Sequence, residues 1–119
     1  MKVHVVEKAQ TRYVEGIVGE TLLANEQDVL ELLGLCHEYD ADRILLYTRS
    51  LPETFFDLKS GQAGMILQKL VNYHVKAAAI VSPAFIRGRF KDFVTEANRG
   101  NHFRVFHNKD EAEKWLISD

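Results

Sequence analysis

The chain has 119 residues, 46% of them hydrophobic and 27% charged, the proportions of an ordinary globular domain rather than of a disordered, fibrous or collagen-like chain. That length accommodates one hydrophobic core and is too short for two, so residues 1–119 are expected to form a single domain. Lys and Arg number 15 against 17 Asp and Glu, a formal net charge of -2, which leaves no global electrostatic case for binding DNA or an anionic membrane.

The opening MKVHVVEKAQ turns polar within a few residues, and no apolar run has the length to cross a bilayer. The expectation is a cytoplasmic protein without a signal peptide. Val3 to Val6 and Tyr13 to Val18 are β-rich, and Lys8-Ala9-Gln10-Thr11 between them reads as a hairpin with a longer loop. Gly16 inside the second run marks a bulge. In NEQDVLELLGLCHEYD, Asn25 caps a helix, Glu26 and Asp28 face its positive end, and Val29, Leu32, Leu33 and Cys36 form one apolar stripe. Cys36 is the only cysteine, so no internal disulfide exists, and its place in the stripe makes it a small buried hydrophobe.

Ile44 to Tyr47 is a continuous apolar run suited to a strand covered on both faces. Residues from Met65 to Val71 continue a helix with Ile66, Leu67, Leu70 and Val71 inward, ending near Asn72-Tyr73. The run VKAAAIV from Val75 is another buried strand, with alanines that let helices approach the sheet. Pro83 starts a further helix carrying Ile86, Phe90, Phe93, Val94 and Ala97 inward, and Gly100 stops it. His102 to Phe106 is the last strand, followed by a helix from Asn108 or Asp110 that buries Ala112, Trp115 and Leu116. The order β-β-α-β-α-β-α-β-α predicts an α/β fold: one mixed, mostly parallel sheet flanked by helices, with right-handed crossovers.

The stretch FFDLKSGQAG, residues 55 to 64, concentrates the candidate chemistry. Ser60 at a helix start can accept from a free backbone N–H, Gly61 and Gly64 allow close approach to the first turn, and Lys59 adds a cation beside the dipole. Asp57 is a possible base, with Glu53 four residues earlier and no adjacent histidine. The spacing matches neither the phosphate loop G-x-x-x-x-G-K-[ST] nor G-x-G-x-x-G, so a capped helix start is the simpler reading. Ser50, Ser60 and Ser82 are outside any G-x-S-x-G, and the five histidines show no metal-binding spacing. No cofactor is implied. In RGRFKDFVTEANRG, helical geometry turns Phe90 and Phe93 inward and leaves Arg87, Arg89, Lys91 and Arg99 on a solvated face, so nucleic-acid binding is not expected.

The run FFDLKSGQAGMILQKLVNYHVKAAAIV, with Gln27-Asp28 and FVTEANRG at 93 to 100, resembles a bacterial family known as domain of unknown function 4180. The order of elements is also similar, more distantly, to the STAS domains of anti-sigma-factor antagonists, where an Asp-Ser-Ser-Gly-like turn opens a helix directly after a strand. That likeness implies a regulatory, partner-binding domain in which Ser60 is the phosphorylated switch. Here Arg49 to Leu58 separate the strand from Ser60, and Asp57 precedes Ser60 by three positions instead of one. The expected function is therefore non-catalytic recognition through Asp57, Lys59, Ser60, Gly61, Gly64 and Gln68, with a protein partner or, through Phe55, Phe56 and Tyr47, a homodimer. The alternative is a small anionic ligand, bound or turned over at the Ser60 helix start.

Overall fold

A computed structural model of the chain describes residues 1–17 and 20–118. Strands β1 (Val3–Lys8) and β2 (Thr11–Gly16) pair antiparallel from Val3 opposite Gly16 to Lys8 opposite Thr11. The connection is two residues, shorter than the expected loop, and Ala9 and Gln10 both take positive φ, 53° and 64°. That is the backbone of a type I′ turn, whose twist matches the strands but which normally recruits Asn-Gly. Replacing Ala9-Gln10 by Asn-Gly is expected to raise the unfolding free energy by about 1 kcal/mol, read as a higher urea midpoint at unchanged slope. Val18, placed in the second strand by its sequence, lies outside the described residues.

Gly16 is not a bulge, since it stays in register with Val3. Its lack of a side chain serves a close approach instead: a Cβ there would stand 3.0 Å from Ser50 Oγ. Ser50 is fully buried, its hydroxyl accepts from Tyr47 N–H (3.0 Å), and its carbonyl accepts from Leu22 and Leu23 N–H (both 3.0 Å). The turn after the next strand is thus bolted to the start of the chain's first crossover.

Helix α1 (Glu26–Glu38) begins where Asn25 accepts from Asp28 N–H, and Val29, Leu32, Leu33 and Cys36 are all buried, as their spacing requires. It is followed by β3 (Arg43–Tyr47), α2 (Gln62–Asn72), β4 (Lys76–Ile80), α3 (Gly88–Ala97), β5 (Phe103–Phe106) and α4 (Lys109–Leu116). Two of these depart from expectation. Pro83 opens only a single 3₁₀ turn, Pro83–Phe85, and α3 starts at Gly88, whose φ of 58° turns the chain into the helix. On α2 the inward residues are Ala63, Ile66 and Leu70, while Leu67 is half-buried and Val71 is 38% exposed. The stripe is narrower because α2 lies against the sheet on one side only.

The sheet order is β1-β2-β3-β4-β5, with β2 to β5 parallel. When strands follow one another in sequence order and every crossover is right-handed, the connecting helices must all lie on one face. The core divides accordingly. Val14, Ile44, Leu46, Ala77, Ala79, Phe103 and Val105 pack under α1, α2 and α3, whereas Tyr13, Leu45 and Ala78 pack under Ala112 and Leu116 of α4. A single eight-residue helix therefore covers the second face.

Polar bonds hold that helix in place. Asn108 caps it by accepting from Glu111 N–H. Glu113 accepts from the Tyr13 hydroxyl (2.5 Å) and from Lys8 Nζ (2.6 Å), and Glu15 of β2 accepts from the Tyr47 hydroxyl (2.5 Å) and pairs with Lys109 (3.1 Å). At its other end, Arg43 donates to the Leu116 and Ser118 carbonyls and Lys76 to the Trp115 carbonyl, with the Lys76 ammonium 4.3 Å from the Trp115 ring centre. Cations from two strands thus meet the negative end of the helix dipole.

Candidate functional site

Residues 53–64 form two 3₁₀ turns, Glu53–Phe56 and Leu58–Ser60, before α2. Asp57 caps the second turn by accepting from Lys59 N–H at 3.1 Å. The Ser60 hydroxyl donates to the Thr54 carbonyl (2.5 Å) and accepts from Gln62 N–H (3.2 Å), so it does satisfy a free helix-start donor. The cap position itself belongs to Gly61, at φ 79°, which a residue with a side chain would adopt only with strain. A Cβ at Gly61 or Gly64 would meet nothing within 4 Å, so neither glycine is there for close packing. Gln68 donates to Asn72 Oδ1 (2.9 Å) on the exposed face of α2. Lys59, Ser60, Gly61, Gly64 and Gln68 are all exposed along the start and first turns of α2, and of the predicted group Asp57 alone borders one of the hollows described below.

The aromatics of the same stretch point elsewhere. Phe55 is 1% exposed, with the rings of Phe56, Phe90, Phe93 and Phe103 at 5.5 to 6.3 Å around it, so it cannot contribute to a dimer contact. Phe56 is half-buried and tilts against Phe85, ring centres 4.8 Å apart. Phe85 is 42% exposed.

That pair is the wall of a cleft of about 440 Å³ at the C-terminal ends of β3 and β4, lined also by Thr21, Thr48, Arg49, Leu51, Pro52, Glu53 and Ser82. A second hollow of about 410 Å³ meets it at Thr48, Arg49 and Ser82 and adds Tyr47, Ile80 and His107; a third, of about 360 Å³, continues past Phe56 and Phe85 to Asp57 and Arg87. Carboxyl ends of parallel strands are where α/β sheets place their ligands, because loops there diverge from a fixed edge. The edge is rigid: Thr48 Oγ1 donates to the Ile80 carbonyl (3.2 Å) and accepts from Ser82 N–H (2.9 Å), tying the ends of the two strands together. Among the described residues the Arg49 and Arg87 guanidinium groups have no hydrogen-bonding or ionic partner.

Among the described residues, the cleft's titratable side chains Arg49, Glu53 and His107 form no hydrogen bond or ion pair with one another. Apart from Cys36, the groups whose titration is displaced lie under or beside α4 instead. Burial first, and then the bonds to Glu113 and Glu15, hold the Tyr13 and Tyr47 phenols well above their usual value, and the bonds from Lys8 and Tyr13 hold Glu113 below the usual carboxylate range. Neutral phenols and paired carboxylates are anchors for the helix, not proton carriers. Cys36 is buried, and desolvation pushes its thiol up to about 12, so it is unreactive as folded. Among the described residues no three His, Cys, Asp or Glu side chains gather closely enough for a metal ion, and no helix is long and apolar enough to cross a membrane. On α3, Phe90 is buried and Phe93 half-buried, while Arg89, Lys91 and Arg99 lie on the wet face, Arg99 paired with Glu96 at 3.1 Å.

A family profile described as Domain of unknown function (DUF4180) matches residues 8–116. The chain belongs to this family. No curated protein and no solved structure matches it. The segment shared with DUF4180 contains both the Asp57 to Gln68 group and the cleft, so the family frame does not by itself choose between them.

Thr48, Arg49 and Phe85 are the site residues that sequence reasoning passed over, while Ser82 was weighed only as a hydrolase nucleophile and set aside. Their signal was positional: Thr48 and Arg49 follow directly on β3 and Phe85 lies five residues beyond β4, at the edge where this fold class puts function. Arg49 was read only as part of a spacer before Ser60, and Phe85 as helix.

Proposed function

We propose that this chain is a non-catalytic recognition domain of a cytoplasmic regulatory system, STAS-like in architecture, which binds a segment of a protein partner in the cleft at the carboxyl edge of β3 and β4. The observation that carries the reading is the exposed Phe85, tilted against Phe56 beside a guanidinium, Arg49, that nothing in the fold occupies. Arginine and aromatics are the side chains that dominate binding energy at recognition surfaces. An apolar side chain of the partner lies on Phe85 and Phe56, and a carboxylate meets Arg49. Glu53 and Asp57, on the same rim, select against a partner that is acidic throughout. Ser60 is exposed at the start of α2, and phosphate there would add nearly two negative charges close to Asp57 and the rim.

The test is affinity capture from cells with the wild-type chain, Arg49→Glu, Phe85→Ala and Ser60→Ala. Arg49→Glu and Phe85→Ala are expected to weaken partner binding by about 30-fold or more, equivalent to about 2 kcal/mol, with the domain still folded and its melting temperature lowered by a few degrees at most. Full capture by both variants would refute the placement. A second reading, a small anion held by Arg49 with Ser82 and Thr48 or by Lys59 and Ser60 at the α2 start, rests on the same free guanidinium. It predicts thermal stabilisation by millimolar nucleotides, phosphosugars or carboxylates, abolished in Arg49→Glu or in Lys59→Ala respectively.

A further inference from the structure

A five-stranded open sheet has two edges, and here they are treated differently. Along β5 the side-chain amide of Asn98 imitates a neighbouring strand: its Oδ1 accepts from Val105 N–H (2.8 Å) and its Nδ2 donates to the Val105 carbonyl (3.3 Å). That blunts the edge against further pairing. Strand β1 has no such cover. Its six residues, VHVVEK, include neither proline nor glycine.

The hairpin fixes which backbone groups face outward. With a two-residue loop, Lys8 and Thr11 are the hydrogen-bonded pair that closes the turn, and alternation then directs His4, Val6 and Lys8 to β2. The N–H and C=O groups of Val3, Val5 and Glu7 consequently point away from the sheet. Among the described residues none of the backbone bonds outside the regular ladders takes them. Val5 is also 40% exposed, an aliphatic side chain at the edge of the sheet.

We propose that this edge pairs with β1 of a second copy of the chain, antiparallel about a twofold axis at Val5, joining two five-stranded sheets into one. The occupant follows from the two edges. With the middle of β5 capped at Val105 by Asn98 and β1 open along its length, the edge that a second copy offers to β1 is its own β1, and such an isologous contact closes at two copies instead of growing into a fibre. The Val5 axis also uses every outward group. Val5 exchanges both bonds with Val5 of the second copy, and Val3 exchanges both with Glu7 of the second copy, on each side of the axis. On the helix-rich face Val5 covers Val5; on the other, His4 lies against Val6. Lys2 comes opposite Lys8 of the second copy, whose charge is already met by Glu113 at 2.6 Å. One strand pair is a small interface, so association falls in about the micromolar range.

Mass in solution, followed from low micromolar to several hundred micromolar protein by light scattering, is expected to rise from 13.6 kDa toward twice that value. Val5→Pro removes an N–H that the hairpin itself does not use and is expected to be a monomer with unchanged circular dichroism. Val5→Lys keeps the N–H but sets two ammonium groups face to face on the axis, and is likewise expected to be monomeric. Because Cys36 is buried and is the only cysteine, Val5→Cys is expected to oxidise to a covalent dimer across the axis, while Glu7→Cys, opposite Val3, is not. A monomeric wild type at every concentration overturns the proposal and leaves the edge to a foreign strand or to solvent. A dimer that survives both Val5→Pro and Val5→Lys overturns it as well.

Discussion

Phe55→Ala is expected to remove about 3–5 kcal/mol of unfolding free energy, the usual cost of emptying an aromatic site in a packed core. The ring sits where three parts of the chain converge. Phe56 is its sequence neighbour, Phe90 and Phe93 come from α3, and Phe103 from β5, four rings with centroids within 6.3 Å. Each contact is tilted or edge-on, the arrangement in which aromatic quadrupoles attract, so truncation forfeits ring–ring energy as well as buried area. For a domain of this size the loss is of the order of half the total stability. Urea unfolding followed by the fluorescence of Trp115, the only tryptophan, reads it directly. Phe85→Ala, at an exposed ring, is expected to cost about 1 kcal/mol or less by the same measurement. Equal effects of the two substitutions would contradict the division of the stretch into a structural ring and a surface ring.

Raising the pH above about 10 is expected to unfold the domain cooperatively, because two of its four tyrosines are bonded to carboxylates under α4. The folded-state pKa of both Tyr13 and Tyr47 is raised, burial contributing most and the bonds to Glu113 and Glu15 next. A raised pKa means that the neutral phenol is favoured by folding. Its contribution is complete below the unfolded tyrosine value of about 10 and is lost as pH climbs towards the folded value. In that window each tyrosine costs at most about 1.4 kcal/mol per pH unit, less for the half-buried and better-screened Tyr47, and Lys8, whose pKa is also raised by Glu113, acts in the same direction. Glu113 supplies the opposite limb. Its folded pKa is lowered, so its contribution is present above the ordinary glutamate value and is lost as pH falls through the lowered one. Urea midpoints from about pH 9 to 11 should fall steeply for the wild type and less steeply for Tyr13→Phe, which starts about 1–2 kcal/mol less stable at neutral pH. A Tyr13→Phe profile parallel to the wild type would show that the phenol under α4 is not what titrates.

The helices and strands were legible because their signals are local. Asn25 before an apolar stripe, alanines in a buried run and Asn108 before the last helix each carry their meaning within one turn or one strand. What escaped was whatever depends on distant partners. Gly16 looks like a strand defect until Ser50, far along the chain, is seen to need the space. Pro83 is a legitimate helix start, but Phe85 joins the cleft wall and Ile86 packs on the core before Gly88 can turn the chain. The candidate site shows the same limit. Asp57, Lys59 and Ser60 are conspicuous together in sequence yet serve first as caps of their own turns, whereas Thr48, Arg49, Ser82 and Phe85 come together only because β3 and β4 end side by side. The Tyr13–Glu113 and Arg43–Leu116 bonds had no local trace at all.

Sequential strand order has a consequence for how the chain is made. Each parallel ladder joins partners only about thirty residues apart, so the sheet can grow one strand at a time as the polypeptide leaves the ribosome, with each crossover helix laid down before the next strand arrives. The bonds that secure α4 reach much further back, across 105 residues to Lys8, 100 to Tyr13 and 73 to Arg43. Until α4 has been synthesised, Tyr13, Leu45 and Ala78 therefore stand uncovered on a nascent sheet, and a chain that stops short of Lys109 keeps that sticky surface for good.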